Sequence, residues 1–197
     1  MNRSELTELH YITTISNVPS IIKNGILSHR SAERLSHTSV AMTEIQDIRA
    51  KKIVPGGMPL HRYANLYLCA RNPMLYKRKD LHVGLCVLRV STDVLDLRGV
   101  VIADGNAASD YTGFWPSPAG LDKVNKDMVF AEFWTDEDQI TKWQKTRVKC
   151  AEVLIPDKVE PRFILGAYVS CAEAQHALQT TEPRLSVTTI DAHLFFR

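Results

Sequence analysis

The sequence predicts an α+β domain on three observations. Apolar runs of strand-like composition fall in separate stretches, at residues 9–13, 65–70, 83–90, 99–103, 148–155 and 161–169, with only short helical patterns between them. No glycine-rich loop follows a strand to cradle phosphate, which disfavours doubly wound dehydrogenase and P-loop architectures. The 197 residues, 45% hydrophobic and 23% charged, suit one compact domain or one domain with an elaborated loop, and argue against disorder.

Taken in order, Leu9, Tyr11 and Ile12 mark a first strand. Asn17 or Val18 leads into Pro19 and the apolar pair Ile21 and Ile22, and Asn24-Gly25 closes a short helix, because proline suits a first helical turn and glycine the residue past the last. Residues 29–44 read as a long polar loop, followed by a helical turn over 43–52 that Pro55-Gly56-Gly57 ends. Strands follow at 65–70, stopped by Asn72-Pro73, at 83–90 and at 99–103. Residues 104–147 form a long insertion with two short helices, the second capped near Thr135 to Asp138 and carrying Ile140 and Trp143 on one face. Strands at 148–155 and 161–169 and a helix over 171–179 come next, and 185–188 and 193–196 read as short extended pieces.

A formal charge of +2 does not announce a nucleic-acid binder, so any basic surface has to come from local clusters. Three exist: Arg49, Lys51 and Lys52; Arg71, Lys77, Arg78 and Lys79; and Lys142, Lys145, Arg147 and Lys149. The N-terminus lacks the apolar core of a signal peptide, and no run approaches the ~18 apolar residues of a membrane helix, so a soluble cytoplasmic protein without membrane contact is expected. Cys69, Cys86, Cys150 and Cys171 are far apart and read as thiols, and no two of the seven histidines have metal-site spacing. No metal is expected.

Glu152 interrupts an apolar strand-like run, where period-two alternation sets it on one face with Val148, Cys150 and Leu154. A carboxylate among such neighbours is costly to ionise unless it is paired or hydrogen-bonded. Two readings stay open on this segment alone: a general base tuned by its surroundings, or a carboxylate paired with an arginine from a neighbouring element.

Four segments then carry a resemblance that spans most of the chain in order. Tyr11-Ile12-Thr13 followed by Asn17, Glu44-Ile45-Gln46-Asp47-Ile48-Arg49, the run from Tyr67 through Arg71-Asn72-Pro73-Met74-Leu75-Tyr76, and Cys150-Ala151-Glu152-Val153-Leu154 resemble the DarT family of bacterial toxins that ADP-ribosylate DNA. The resemblance implies an ADP-ribosyltransferase-like split antiparallel β-sheet core with flanking helices and a long acceptor-binding loop-helix insertion. It implies NAD+ as a consumed co-substrate, clasped between the halves of one domain over residues 1–197.

The same resemblance implies site roles. Glu152 corresponds to the catalytic glutamate and Arg49 to the active-site arginine, while Tyr11, Ile12 and Thr13 receive the nicotinamide and its ribose, with Ser20 and Ser28 as further contacts. Family members carry a His-x-Thr strand; here Tyr11 stands in the histidine register and His10 is displaced by one, so both are candidates. Arg71, Met74, Leu75 and Tyr76 offer a cation, an apolar wedge and an aromatic face for single-stranded DNA, although Met74 and Leu75 also suit a core. Tyr111, Phe114, Trp115 and Trp134 in the insertion are further stacking candidates. The expected acceptor is a base in single-stranded DNA, thymine favoured over guanine, and the expected partner is a macrodomain antitoxin. The alternatives are an ADP-ribosyltransferase acting on RNA or protein, and a non-catalytic nucleic-acid-binding module.

Overall fold

Ten strands form in the computed structural model, which describes residues 1–40 and 42–197: β1 (Leu9–Thr14), β2 (Ile26–Leu27), β3 (Tyr63–Tyr67), β4 (Leu85–Val90), β5 (Val101–Ala103), β6 (Phe114–Pro116), β7 (Glu152–Pro156), β8 (Lys158–Val159), β9 (Ile164–Val169) and β10 (Thr188–Ile190). The helices are α1 (Val18–Asn24), α2 (His29–Ala32), α3 (Thr43–Lys51), α4 (Pro73–Tyr76), α5 (Lys126–Phe130), α6 (Gln139–Lys149) and α7 (Ala172–Thr181). Eight strands make one sheet in the order β10-β9-β4-β1-β3-β7-β5-β6, antiparallel except where β10 runs parallel to β9, and β2 pairs with β8 beside it.

The pairing pattern splits this sheet. β1 runs against β4 over six residue pairs, from Leu9↔Val90 to Thr14↔Leu85, yet meets β3 only at His10↔Tyr67. Two four-stranded halves therefore hang together at one point and diverge beyond it. Directly opposed residues share a face, so His10, Tyr67, Glu152 and Ala103 form one row across both halves.

Burial follows the same division. One face packs against α1 and α7 through Val18, Ile21, Ala174 and Leu178 in a large continuous core that also takes Leu9, Leu66, Leu88 and Val153. The other face carries two separate smaller cores, one of Ile12, Leu75, Leu85, Val87 and Phe195, the other of Val54, Leu60, Tyr63, Ala103 and Leu154. Where these two fail to meet, the face of the sheet is left open.

Local chemistry explains the element ends. Pro19 sits in the first turn of α1, and Gly25 ends it at φ 90°, where a Cβ would lie 2.3 Å from the Val159 carbonyl oxygen. The run expected to be a strand over 148–155 is extended only from Glu152. Asp138 caps α6 by accepting from the Thr141 amide at 2.7 Å, and the helix continues through Val148 and Lys149 to Cys150. Buried Val148 and the Lys149 ammonium, which donates to the carbonyls of Val129 (2.8 Å) and Ala131 (2.6 Å), hold that last turn. The alternation that set Glu152 beside Val148 and Cys150 is therefore replaced by a helix-to-strand junction.

Smaller corrections have similar causes. Residues 83–84 and 161–163 form 3₁₀ turns, Lys79–Gly84 and Pro161–Phe163, ahead of their strands, and α2 interrupts the expected 29–44 loop. Residues 193–196 close a turn through Phe195 and Phe196 amides donating to Ala192 and His193 carbonyls, where an extended piece was expected. All four cysteines are free thiols, with Cys86 and Cys150 buried. No helix of the described residues is long and apolar enough to cross a membrane.

Glu8, immediately before β1, pins that strand to the outer half of the sheet. Its carboxylate accepts from Arg89 Nε at 2.7 Å and Tyr168 Oη at 2.8 Å and lies 3.3 Å from His10 Nε2. Burial pushes the Glu8 carboxyl up, but the hydrogen bonds from His10, Tyr168 and Arg89 outweigh it and hold it down at about 2. A depressed carboxyl stabilises the fold above its ordinary value of 4.5 and loses that contribution as pH falls through about 2. Glu8→Gln should therefore cost on the order of 1–2 kcal/mol at neutral pH, after allowance for solvent screening. The gap from the wild type in urea unfolding should close as pH drops from about 4.5 toward 2; a gap independent of pH would remove the carboxylate from this role.

Candidate active site

The open face is a cleft of about 400 Å³ bordered by β1, α3, β3 and the start of β7. At its floor Glu152, the first residue of β7, is only 1% exposed. Arg49 from the last turn of α3 reaches across 103 residues of sequence, and its Nη1 lies 3.3 Å from Oε1 and 3.1 Å from Oε2 of Glu152. The Ala107 amide donates to Oε1 at 3.1 Å. An ionised carboxylate has about four acceptor positions, so this set leaves acceptor capacity on Glu152, which lines the cleft.

The donors are themselves held. Arg147 Nη1 donates to Asp104 Oδ1 at 2.8 Å, the Asn106 amide to the Arg147 carbonyl at 2.9 Å, and the Gly113 amide to Asp104 Oδ1 at 3.0 Å, so the loop bearing Ala107 is tied to the end of α6. Gly105 passes so close that a Cβ would lie 2.6 Å from Arg147 Nη1 and 3.0 Å from the Arg147 carbonyl oxygen. Lys52 grips the same loop from the α3 side through the carbonyls of Ala108 (3.2 Å) and Ser109 and the Asp110 carboxylate. On the facing wall Asn17 donates to Thr13 Oγ1 at 3.2 Å and to the Thr38 carbonyl at 2.7 Å, and Arg78 Nε donates to the Val40 carbonyl at 2.9 Å.

Electrostatics sort the remaining titratable groups. Burial, then the Glu152 charge, raises Tyr67 well above the ordinary phenol range, so it stays a neutral donor opposite the carboxylate. The Cys150 thiol is pushed up to about 12 by burial and by Glu152, which removes it as a nucleophile. His61 stacks on His29 with ring centroids 4.0 Å apart, and burial, followed by repulsion from His29 and Arg49, lowers its pKa. His61 Nε2 and Gln46 Oε1 are buried without a hydrogen-bond partner among the described residues, and both residues line the cleft.

Of the residues singled out from sequence, Glu152, Arg49, Tyr11, Ile12, Thr13 and Met74 line this cleft. The others stand apart from it. His10 belongs to the Glu8 network, Ser20 accepts from Asn24 Nδ2 at 3.1 Å within α1, and Ser28 is 1% exposed as the cap of α2. Arg71 donates to the His193 carbonyl at 2.6 Å and to Glu132 at 2.8 Å, and lies over the Phe196 ring. Leu75 is fully buried, and half-exposed Tyr76 packs edge-on against Trp134 and Phe196. In the insertion Tyr111 is exposed, Phe114 packs on a small core, and Trp115 closes over Gly113 and Gly120. Asn106, Tyr67, His29, His61, Gln46, Trp143 and Arg147 line the cleft without having been assigned there from sequence. The basic cluster holding Arg147, the motifs holding Gln46 and Tyr67 and the helix face holding Trp143 were local signals, and none marks a direction.

Comparison with known proteins gives a consistent set of likenesses. Residues 10–195 match the family model described as DarT, ssDNA thymidine ADP-ribosyltransferase. A Thermosipho africanus DNA ADP-ribosyl transferase–DNA ADP-ribosyl glycohydrolase fusion protein is 34% identical over 96% of this chain and 49% of its own length, so the chain spans about half of that relative. A Thermus sp. DNA ADP-ribosyl transferase is 38% identical over 69% of this chain and 70% of its own. Among solved structures, Thermosipho africanus DarTG with ADP-ribose superposes with a TM-score of 0.83 at 31% identity, covering 96% of this chain and 51% of that one. Thermus sp. 2.9 DarT with ADP-ribosylated ssDNA shares the fold, with a TM-score of 0.80 at 22% identity over 96% of both chains.

Two outcomes follow from the geometry. Arg49→Ala leaves a buried carboxylate on one amide donor and should cost about 3–5 kcal/mol in urea unfolding, most of it recovered when Glu152→Gln is added; an unchanged single variant would show that the pair contributes nothing. For His61, as pH falls below its ordinary 6.5 the unfolded chain takes up a proton that the folded chain resists, so stability drops. The wild-type melting temperature should therefore decline more steeply than that of His61→Gln between about pH 7.5 and about 5.5, and parallel curves would refute this.

Proposed function

This chain belongs to the DarT family, and we propose that it transfers ADP-ribose from NAD+ to a base in single-stranded DNA, with thymine as the acceptor and nicotinamide released. The observation that carries the reading is the buried carboxylate of Glu152, held by Arg49 and the Ala107 amide at the floor of a cleft where the sheet divides. NAD+ enters along β1 at Tyr11, Ile12 and Thr13, and its diphosphate draws on the Arg49 guanidinium. The bond between ribose C1′ and the nicotinamide nitrogen then lengthens toward an oxocarbenium-like transition state, which Glu152 stabilises electrostatically. As the base nitrogen forms its bond to C1′, Glu152 accepts the proton that this nitrogen loses.

The acceptor strand lies toward Met74, Lys77 and Arg78 on one wall and the loop with Asn106 and Ser109 on the other. Arg71, Leu75 and Tyr76 act there by fixing the segment that presents Met74, and residues 104–147 form the acceptor-facing part of a single catalytic domain. The glycohydrolase fused to the transferase in the Thermosipho relative supports a partner that removes the mark, a macrodomain antitoxin, with this chain as the cytoplasmic toxin of the pair.

Labelled NAD+ incubated with single-stranded oligonucleotides of every four-base context, and in parallel with RNA and protein, tests the reading. A thymine adduct with equimolar nicotinamide is expected, and Glu152→Gln should lower transfer by about 10²–10⁴-fold while the fold and oligonucleotide binding persist. Label appearing only on RNA or protein, or no adduct at all, would overturn it.

A further inference from the structure

Ile140 and Trp143 share one face of α6, and that face is open: they are 72% and 65% exposed. The side of this helix that meets the core is carried by Val148, with Val129 of α5 in the same cluster. Two large apolar side chains this open and adjacent on one helix face form a patch that another molecule can cover. Trp143 also borders the cleft, together with Thr146 and Arg147 of the same helix and with Asn106 and Ser109 opposite. Ile140, Trp143 and Arg147 follow one another at three- and four-residue spacing, so they form a stripe leading from the cleft outward along α6.

The surroundings identify what covers that stripe. Residues 139–149 carry Lys142, Lys145, Arg147 and Lys149 and no acidic residue. Arg147 and Lys145 are partly offset by Asp104 and Asp136, Lys149 is buried, and Lys142 has no ion pair among the described residues. A flat apolar ring beside cations, continuous with a reaction cleft, fits a nucleobase on a phosphodiester strand better than it fits an apolar peptide.

We infer that Trp143, with Ile140 beyond it, is a stacking platform for the nucleotide next to the acceptor base, so that the single strand leaves the cleft along α6. This rests on the acceptor being single-stranded DNA. Stacking uses the face of the ring that every base possesses, so the platform sets strand path and affinity rather than sequence.

Titration with a thymine oligonucleotide and with a strand of equal length and charge that is abasic at the nucleotides flanking the acceptor separates the possibilities. The wild type should show tryptophan quenching with the intact strand that is reduced in Trp143→Phe, which keeps Trp115 and Trp134, and weak with the abasic strand. Trp143→Ala should bind the intact strand about 5- to 100-fold more weakly, Trp143→Phe should retain most of the affinity, and the rise for Trp143→Ala should fall on the KM for DNA more than on kcat. Equal affinity of Trp143→Ala and wild type for a strand that both bind would overturn the platform alone and assign the stripe to a protein partner. Failure of the wild type to bind any single-stranded DNA would overturn the acceptor reading and the platform with it.

Discussion

The buried pairing of Glu152 with Arg49 is the constraint around which this molecule is arranged. A carboxylate that is almost wholly removed from water at the start of a central strand has to be met by donors, and the loop after β5 supplies one, the Ala107 amide. The other comes from α3, more than a hundred residues earlier. Meeting both requirements fixes the end of α3, the loop after β5 and the junction of α6 with β7 relative to one another. Lys52 and Arg147 then act as ties from either side of the same loop. The carboxylate is thus preorganised by contacts that a ligand must compete with or borrow, the arrangement expected where charge develops during a reaction.

The split sheet supplies the room. Had β1 continued to pair with β3 beyond His10↔Tyr67, the two small cores on that face would have merged and filled the cleft with side chains. They stay apart, and His61 and Gln46 line the gap between them. Stability comes instead from the continuous core on the opposite face and from the Glu8 cluster, which joins β1 to β4 and β9. Rigidity on one side and vacancy on the other is a division of labour between the two faces of a single sheet.

Two cations, buried Lys149 and partly exposed Arg71, are tied to backbone and carboxylate oxygens. Lys149 ends α6 by donating to backbone carbonyls at the C-terminal end of α5, and Arg71 joins the segment after β3 to Glu132 and to the C-terminal turn. Both belong to clusters that resemble nucleic-acid patches in the sequence, and both are consumed by structure. The surplus charge that remains on the surface is therefore smaller and more localised than the count of basic residues suggests.

Read from sequence, the α+β class, most strands and the short capped helices were legible, since proline, glycine, cap residues and apolar runs act over a few neighbours. So was the demand that Glu152 be paired, because its cost depends only on apolar surroundings. The boundary at 148–152 was not legible: a run such as Val-Lys-Cys-Ala serves a helix end as well as a strand, and the Lys149 contacts that decide between them come from another element. Local pattern cannot say which face of an element meets a partner. Trp143, given only a helix face by the pattern, is open, and Leu75, named as a wedge for DNA with a core as the other reading, is in the core. What the residues determined by themselves was the inventory of elements, the family motifs and one charge requiring a partner. The tertiary structure decided which arginine answers it, where the sheet parts and which side chains face the opening, because those outcomes depend on packing between segments distant in sequence.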